Sequence, residues 1–162
     1  RDGACGSIDA MDGYKRLLIP TDFSATAQRA VARAAELAHL FQARCMLVFV
    51  VEKTYFAPLS LINQAPITFR GEGDLLGEAV EYGEGKLKEI RETYFKDLVC
   101  ETRVVVAATG AAGILDAAAS YRPDLIVMAS HGRSGVAHLL LGSTAEKVVR
   151  HATTQVLVIR EK

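Results

Sequence analysis

Short apolar runs alternate with stretches of helical periodicity all the way from Leu17 to Ile159. The first run, Leu17-Leu18-Ile19, is stopped by Pro20, which has no N–H to give to a ladder. Ala27, Ala30, Val31, Ala34, Leu37, Ala38 and Phe41 follow at spacings of three and four, one apolar stripe of a helix, with Asp22 or Ser24 as its N-cap. The second run, Cys45 to Val51, is apolar at nearly every position. A strand with two apolar faces needs helices on both sides, as in the middle of a parallel sheet.

The pattern predicts a helix from Asp74 to about Phe95, a strand over Thr102–Ala107 and an Ala-rich helix opened by Thr109-Gly110 and running through Ser120. A strand over Leu125–Ala129, a helix over Ser143–His151 and a strand over Val156–Ile159 complete it. Residues Glu52 to Gly73, broken by Pro58, Pro66 and Gly71, are expected to form a long variable loop. The order βαβαβαβαβ, without repeat or linker, is that of an α/β protein. Its expected architecture is a doubly wound five-stranded parallel sheet with helices on both faces.

Composition narrows the function classes. The chain has 19 basic and 19 acidic residues, so its formal charge is zero and it lacks the broad positive field of a nucleic-acid binder. No apolar run approaches the ~20 residues of a membrane-spanning helix. Neither nucleic acid nor a membrane is an expected partner. Cys5, Cys45 and Cys100 have no metal-ligand or CxxC spacing, and Cys45 and Cys100 are read as reduced core residues of a cytoplasmic protein. Residues 1–10 lack periodicity and are expected to be a remnant or disordered segment outside the fold, leaving 11–162 as one domain.

In open parallel sheets, ligands sit beyond the carboxyl ends of the strands, where the strand order reverses. The segments to inspect are Pro20-Thr21-Asp22, Val50-Val51-Glu52, Ala129-Ser130-His131-Gly132-Arg133, and Gly142-Ser143-Thr144. A phosphate needs backbone N–H groups converging on it, and glycine lets backbone come close. The start of a helix adds about half a positive charge and more unpaired donors. Gly132 and Gly135 meet the first need, and Gly142-Ser143 at the head of the last helix meets the second. Ser143 and Glu146 also fit an S-x-x-E capping box, which explains a serine there without any ligand.

Ala129-Ser130-His131-Gly132, nine residues, then Gly142-Ser143 closely resembles the nucleotide loop of universal stress proteins, whose ATP-binding members carry Gly-x-x-Gly, nine residues, then Gly with Ser or Thr. Leu18 to Ser24 resembles the same family's first strand and turn, and Pro123–Met128 and Gln155–Val158 resemble its last two strands. The resemblance runs from about Tyr14 to Arg160. It implies an adenine nucleotide, ATP with Mg or Mn, held by a nucleotide-responsive stress or regulatory module. Asp22 would stand beside the adenosine and Val50 would line the adenine pocket. Gly132, Gly142 and Ser143 would take the phosphates, with Pro20, Thr21, Ser130, His131, Arg133 and Thr144 adjoining. It also implies a homodimer through the last strand, Val156 and Val158. Ala129 departs from the family's first glycine: a site needing positive φ would strain it by about 1 kcal/mol, whereas one needing only a small side chain would not.

Other chemistry finds little support. There is no Gly-Lys-Ser/Thr, and Gly-Arg-Ser-Gly around Ser134 is not a hydrolase elbow. Ser130 and His131 are adjacent, so their side chains are expected to diverge rather than pair. None of the four histidines has metal-ligand spacing. No general base stands out, so at most slow ATP hydrolysis is expected, with no catalytic residue assigned. Two other readings remain: a dimeric interaction module with an empty crevice, and an adenylyl-transfer enzyme, whose loop signatures Asp22-Phe23-Ser24-Ala25-Thr26 does not match.

Overall fold

A computed structural model describes residues 13–53, 72–132 and 141–160. Its elements are β1 (Arg16–Pro20), α1 (Ala25–Phe41), β2 (Arg44–Glu52), α2 (Glu72–Tyr94), β3 (Cys100–Ala107), α3 (Gly110–Tyr121), β4 (Leu125–Ala129), α4 (Ser143–His151) and β5 (Gln155–Ile159). All pairings are parallel, in the order β3-β2-β1-β4-β5. The chain winds outward from β1 through β2 to β3, then returns to place β4 on the other side of β1. That reversal makes the β1–β4 junction the switch point.

Alternation along each strand splits the core into two layers. Leu17, Ile19, Cys45, Leu47, Leu125 and Val127 meet α1 and α2 on one face. Leu18, Met46, Val48, Ile126 and Met128 meet α3 and α4 on the other. The helices change face where the winding changes direction, as crossovers of one constant hand require. Leu17, Leu18 and Ile19 have no exposed surface, which explains why β1 is apolar at consecutive positions.

Several boundaries differ from the sequence expectations. Pro20 belongs to β1, paired in register with Val48, because its missing N–H falls at the strand's end. β3 begins at Cys100, two residues early, and α2 begins at Glu72. The expected loop therefore loses Glu52 to β2 and residues 72–73 to α2, and its residues 54–71 lie outside the described structure. The glycines of α2 do not break it. A Cβ at Gly83 would lie 2.5 Å from Phe49 Cδ1, so this one lets helix and sheet approach closely. Residues 1–10, Arg133 and Gly135 also lie outside the described residues.

Candidate functional site

The turn after β1 has an uncommon backbone. Phe23 adopts φ 65°, the left-handed region, at a cost of about 1–2 kcal/mol for a residue with a Cβ. It is held there by ring contacts with Phe49 (centroids 4.6 Å apart) and Tyr82 (5.9 Å), and by its N–H donating to Thr21 Oγ1 at 3.1 Å. The reversal lets Ser24 cap α1, its Oγ accepting from Ala27 N at 3.2 Å. Of the two N-cap candidates, Ser24 is the one used. Asp22 instead accepts from Ser24 N through Oδ1 at 3.1 Å. Its other oxygen faces Gly132: a Cβ there would lie 2.6 Å from Asp22 Oδ2. The residues after β1 and β4 thus meet across the switch point.

Ser130 follows β4 and is almost fully buried. Its N–H donates to Ile159 O at 2.8 Å, and its carbonyl accepts from Gly142 N at 2.7 Å. A Cβ on Gly142 would sit 3.0 Å from that carbonyl oxygen. Neither Gly132 nor Gly142 has positive φ. Close approach, not conformational freedom, is what both positions require.

Ala129 is the last residue of β4, paired in register with Ile159, and does not have positive φ. The departure from the family's glycine therefore carries no backbone strain.

Helix α4 corrects the capping-box expectation. Gly142, at φ −71° and ψ 155°, is the N-cap, and no side chain makes a capping bond there. Ser143 is already the first helical residue, and Glu146 pairs with Arg150 at 2.6 Å. The helix spans the predicted Ser143–His151, and it is the cap that differs: Gly142, held by its bond to the Ser130 carbonyl, takes the N-cap position that the capping box assigns to Ser143. Ser143 is exposed and Thr144 half-buried.

Adjacent Ser130 and His131 were expected to diverge, yet Ser130 Oγ lies 2.9 Å from His131 Nδ1. The chain leaves the sheet between them, so the strict alternation of strand side chains no longer holds. Pro20 and Thr21 are buried, and Thr21 N donates to Val48 O at 2.9 Å. Val50 is half-buried on the α3/α4 face; a Cβ on Gly113 would meet its Cγ1 at 2.6 Å.

Two features escaped sequence reasoning. Glu52 reaches across from β2 to accept from Gly110 N at 2.6 Å, placing its carboxylate at the positive end of α3. The Phe23–Phe49–Tyr82 cluster is the second. A polar residue closing an apolar strand hinted at the first. Nothing in Asp-Phe-Ser signals the left-handed Phe23.

Polar and glycine residues gathered at the switch point of a 3-2-1-4-5 parallel sheet define the class: a doubly wound α/β protein with its candidate site between β1 and β4. Within that class, the chain belongs to the universal stress protein family, whose model matches residues 13–160. It is 30% identical over 149 residues to universal stress protein MJ0531 of Methanocaldococcus jannaschii, covering 91% of this chain and 83% of that one. The solved structure of MJ0577, from the same organism, is 26% identical, with TM-score 0.76, covering 92% of this chain and 97% of that one. Two more distant structures share the fold. One is a universal stress protein in complex with cAMP (24% identity, TM-score 0.62, coverage 93% and 99%). The other, from Archaeoglobus fulgidus, is in complex with dAMP (21%, 0.58, 90% and 98%).

Proposed function

We propose that this chain binds an adenine nucleotide, ATP with Mg or Mn, in the crevice between β1 and β4, and acts as a nucleotide-responsive stress module. The observation that carries the reading is the start of α4. The first turns of α1 and α3 are served by Ser24 and by Thr109 with Glu52, whereas the Gly142 N-cap offers no side chain. The unpaired N–H groups and positive dipole of α4 suit phosphate. Exposed Ser143 adds a hydroxyl, and Gly132 and Gly142 keep the backbone bare. In this reading Asp22 contacts the sugar or base. Two relatives solved with cAMP and dAMP support an adenine ligand. In this reading the cation is carried by the phosphates; among the described residues, no group of three or more His, Cys, Asp or Glu could hold a metal ion.

A homodimer through β5 completes the proposal. β5 is an edge strand, whose unpaired backbone invites pairing with a second copy. Val156 and Val158 turn toward their own α3/α4 layer, while Leu157 and Val149 are the exposed apolar residues nearby. Among the described residues, no helix is long and apolar enough to cross a membrane. Ala129 in place of the family's glycine is the feature that favours a module with an empty crevice, and its unstrained backbone speaks against that reading.

The test is thermal unfolding with ATP, ADP, AMP and no ligand, each with and without Mg, alongside light scattering at tens of micromolar. A nucleotide-dependent rise in Tm and a dimer mass are expected. Identical curves in every condition would rule out the binding reading, and a strictly monomeric mass would rule out the dimer.

A further inference from the structure

Cys45 and Cys100 are register partners across the β2–β3 ladder. Neighbouring strands lie about 4.8 Å apart, inside the roughly 4.4–6.8 Å range of Cα separations that a disulfide spans. Both side chains belong to the same layer: Cys45 is buried beneath α1 and α2, and half-buried Cys100 packs against that cluster. The Cys45 N–H donates to Val99 O at 2.8 Å, holding the start of β3 beside it. Both cysteines are free thiols, with Cys45 Sγ 3.7 Å from Ala43 O and Cys100 Sγ 3.7 Å from Glu101 O.

We propose that Cys45 and Cys100 are an oxidant-responsive pair that closes to a disulfide when the protein meets a peroxide. The thiolate of Cys100, nearer the sheet's edge, attacks one peroxide oxygen. It becomes a sulfenic acid, and the other oxygen leaves as an alcohol or water after protonation. The thiolate of Cys45 then attacks the sulfenic sulfur, forming the S–S bond and releasing water. Two thiols lose two electrons and two protons, and one peroxide accepts both, so the step balances. Burial pushes both thiols up, Cys100 to about 11 and Cys45 to about 12. Cys100, half-buried on the edge strand, is the more accessible of the two, which fits its role as first attacker. Scarce thiolate at neutral pH also makes closure slow, and outward fraying of edge strand β3 should speed it.

The pair sits near the amino ends of the strands, and Val50 stands five residues further along β2, at the candidate nucleotide site. The crosslink would tie the edge strand to β2 without touching the crevice. Oxidant and nucleotide would thus act at opposite ends of one strand.

The test uses the whole chain with Cys5→Ser, which removes the third thiol, treated in parallel with hydrogen peroxide and with diamide. The expected product is a monomer about 2 Da lighter, with both thiols lost together and a mapped peptide joining 45 to 100. Its Tm rises, dithiothreitol reverses both changes, and any nucleotide-induced Tm shift is the same before and after oxidation. Adding Cys100→Ser abolishes the mass loss; Cys45→Ala should do so too, and Cys100→Ser carries the control if that variant folds poorly. Stable oxygen adducts without a linkage, a covalent dimer, or thiols that react only in unfolding urea would overturn the proposal.

Discussion

The N–H of Gly142 donates to the carbonyl of Ser130 at 2.7 Å, joining the residue before α4 to the residue after β4. Gly132 and Ser143 each lie within two residues of that bond, so they belong to one site although nine residues separate Gly132 from Gly142 in sequence. On the other side of the site, Asp22 leans on Gly132. The arrangement depends on two places where no side chain stands.

Gly142→Ala should therefore harm both stability and binding. Its new Cβ would crowd the Ser130 carbonyl at 3.0 Å, and that backbone cannot yield without stretching the 2.7 Å bond. The expected stability loss is about 1–3 kcal/mol, as for overpacking in a core, and the MgATP-induced rise in Tm should disappear. Gly132→Ala meets a side-chain carboxylate instead, which can rotate away, so it should cost less stability yet still displace Asp22. Urea titration and thermal shift of both variants separate these effects. A Gly142→Ala protein with unchanged midpoint and unchanged MgATP shift would show that close approach is not required.

Ser143→Ala should leave the fold nearly untouched. Ser143 is inside α4 and makes no cap, and alanine is the better helix former, so a change within about 0.5 kcal/mol is expected. Its effect should appear with ligand, as a loss of about 0.5–1.5 kcal/mol of binding, or up to about 3 kcal/mol if the hydroxyl meets charged phosphate. Isothermal titration with MgATP measures it. A drop of about 1 kcal/mol in the stability of the ligand-free protein would instead reinstate the capping role.

Ala129→Gly restores the family residue and should gain nothing. Ala129 is extended and unstrained, so glycine adds only unfolded-state freedom, and a loss of about 0.5–1 kcal/mol is expected. Nucleotide affinity should stay within twofold of the parent protein. A marked gain in affinity would show that the alanine methyl obstructs the ligand.

Alkaline pH should destabilise the protein. Burial pushes Cys45 up to about 12 and Cys100 up to about 11 from an ordinary 9.0, and Tyr121 up to about 12 from 10.0. The folded state keeps these protons where the unfolded chain releases them. This contribution is complete below about pH 9 and is lost as pH rises through 11 and 12. Under reducing conditions, the urea midpoint should hold to about pH 9 and then fall. Cys45→Ala should fall less steeply between 9 and 12, and equal slopes would remove Cys45 from the account.

Much of this was legible in one dimension. Consecutive apolar residues at Leu17–Ile19 and Cys45–Val48 can be satisfied only by burial on both faces, so they require a parallel sheet inside two helical layers. Breakers and periodicity located the nine elements to within about two residues, and the spacing of Gly132, Gly142 and Ser143 identified the family before any coordinates. These properties are local, or depend only on the period of side chains along a strand or helix.

Tertiary structure decided the rest, because it depends on what lies opposite each residue. Only the β4–β5 pairing shows that Ala129 is extended, and only the Ser130 carbonyl shows why Gly142 has no side chain. The Gly142–Ser130 bond puts Gly142 in the N-cap position and leaves Ser143 as an exposed hydroxyl in the first turn instead of a cap. Phe23 takes a left-handed backbone because Phe49 and Tyr82, from β2 and α2, hold its ring. Cys45 and Cys100, 55 positions apart, become neighbours only through the register of β3 on β2. The chain's alternation requires layers, but the identity of each residue's neighbour is set by long-range pairing, and no local pattern encodes it.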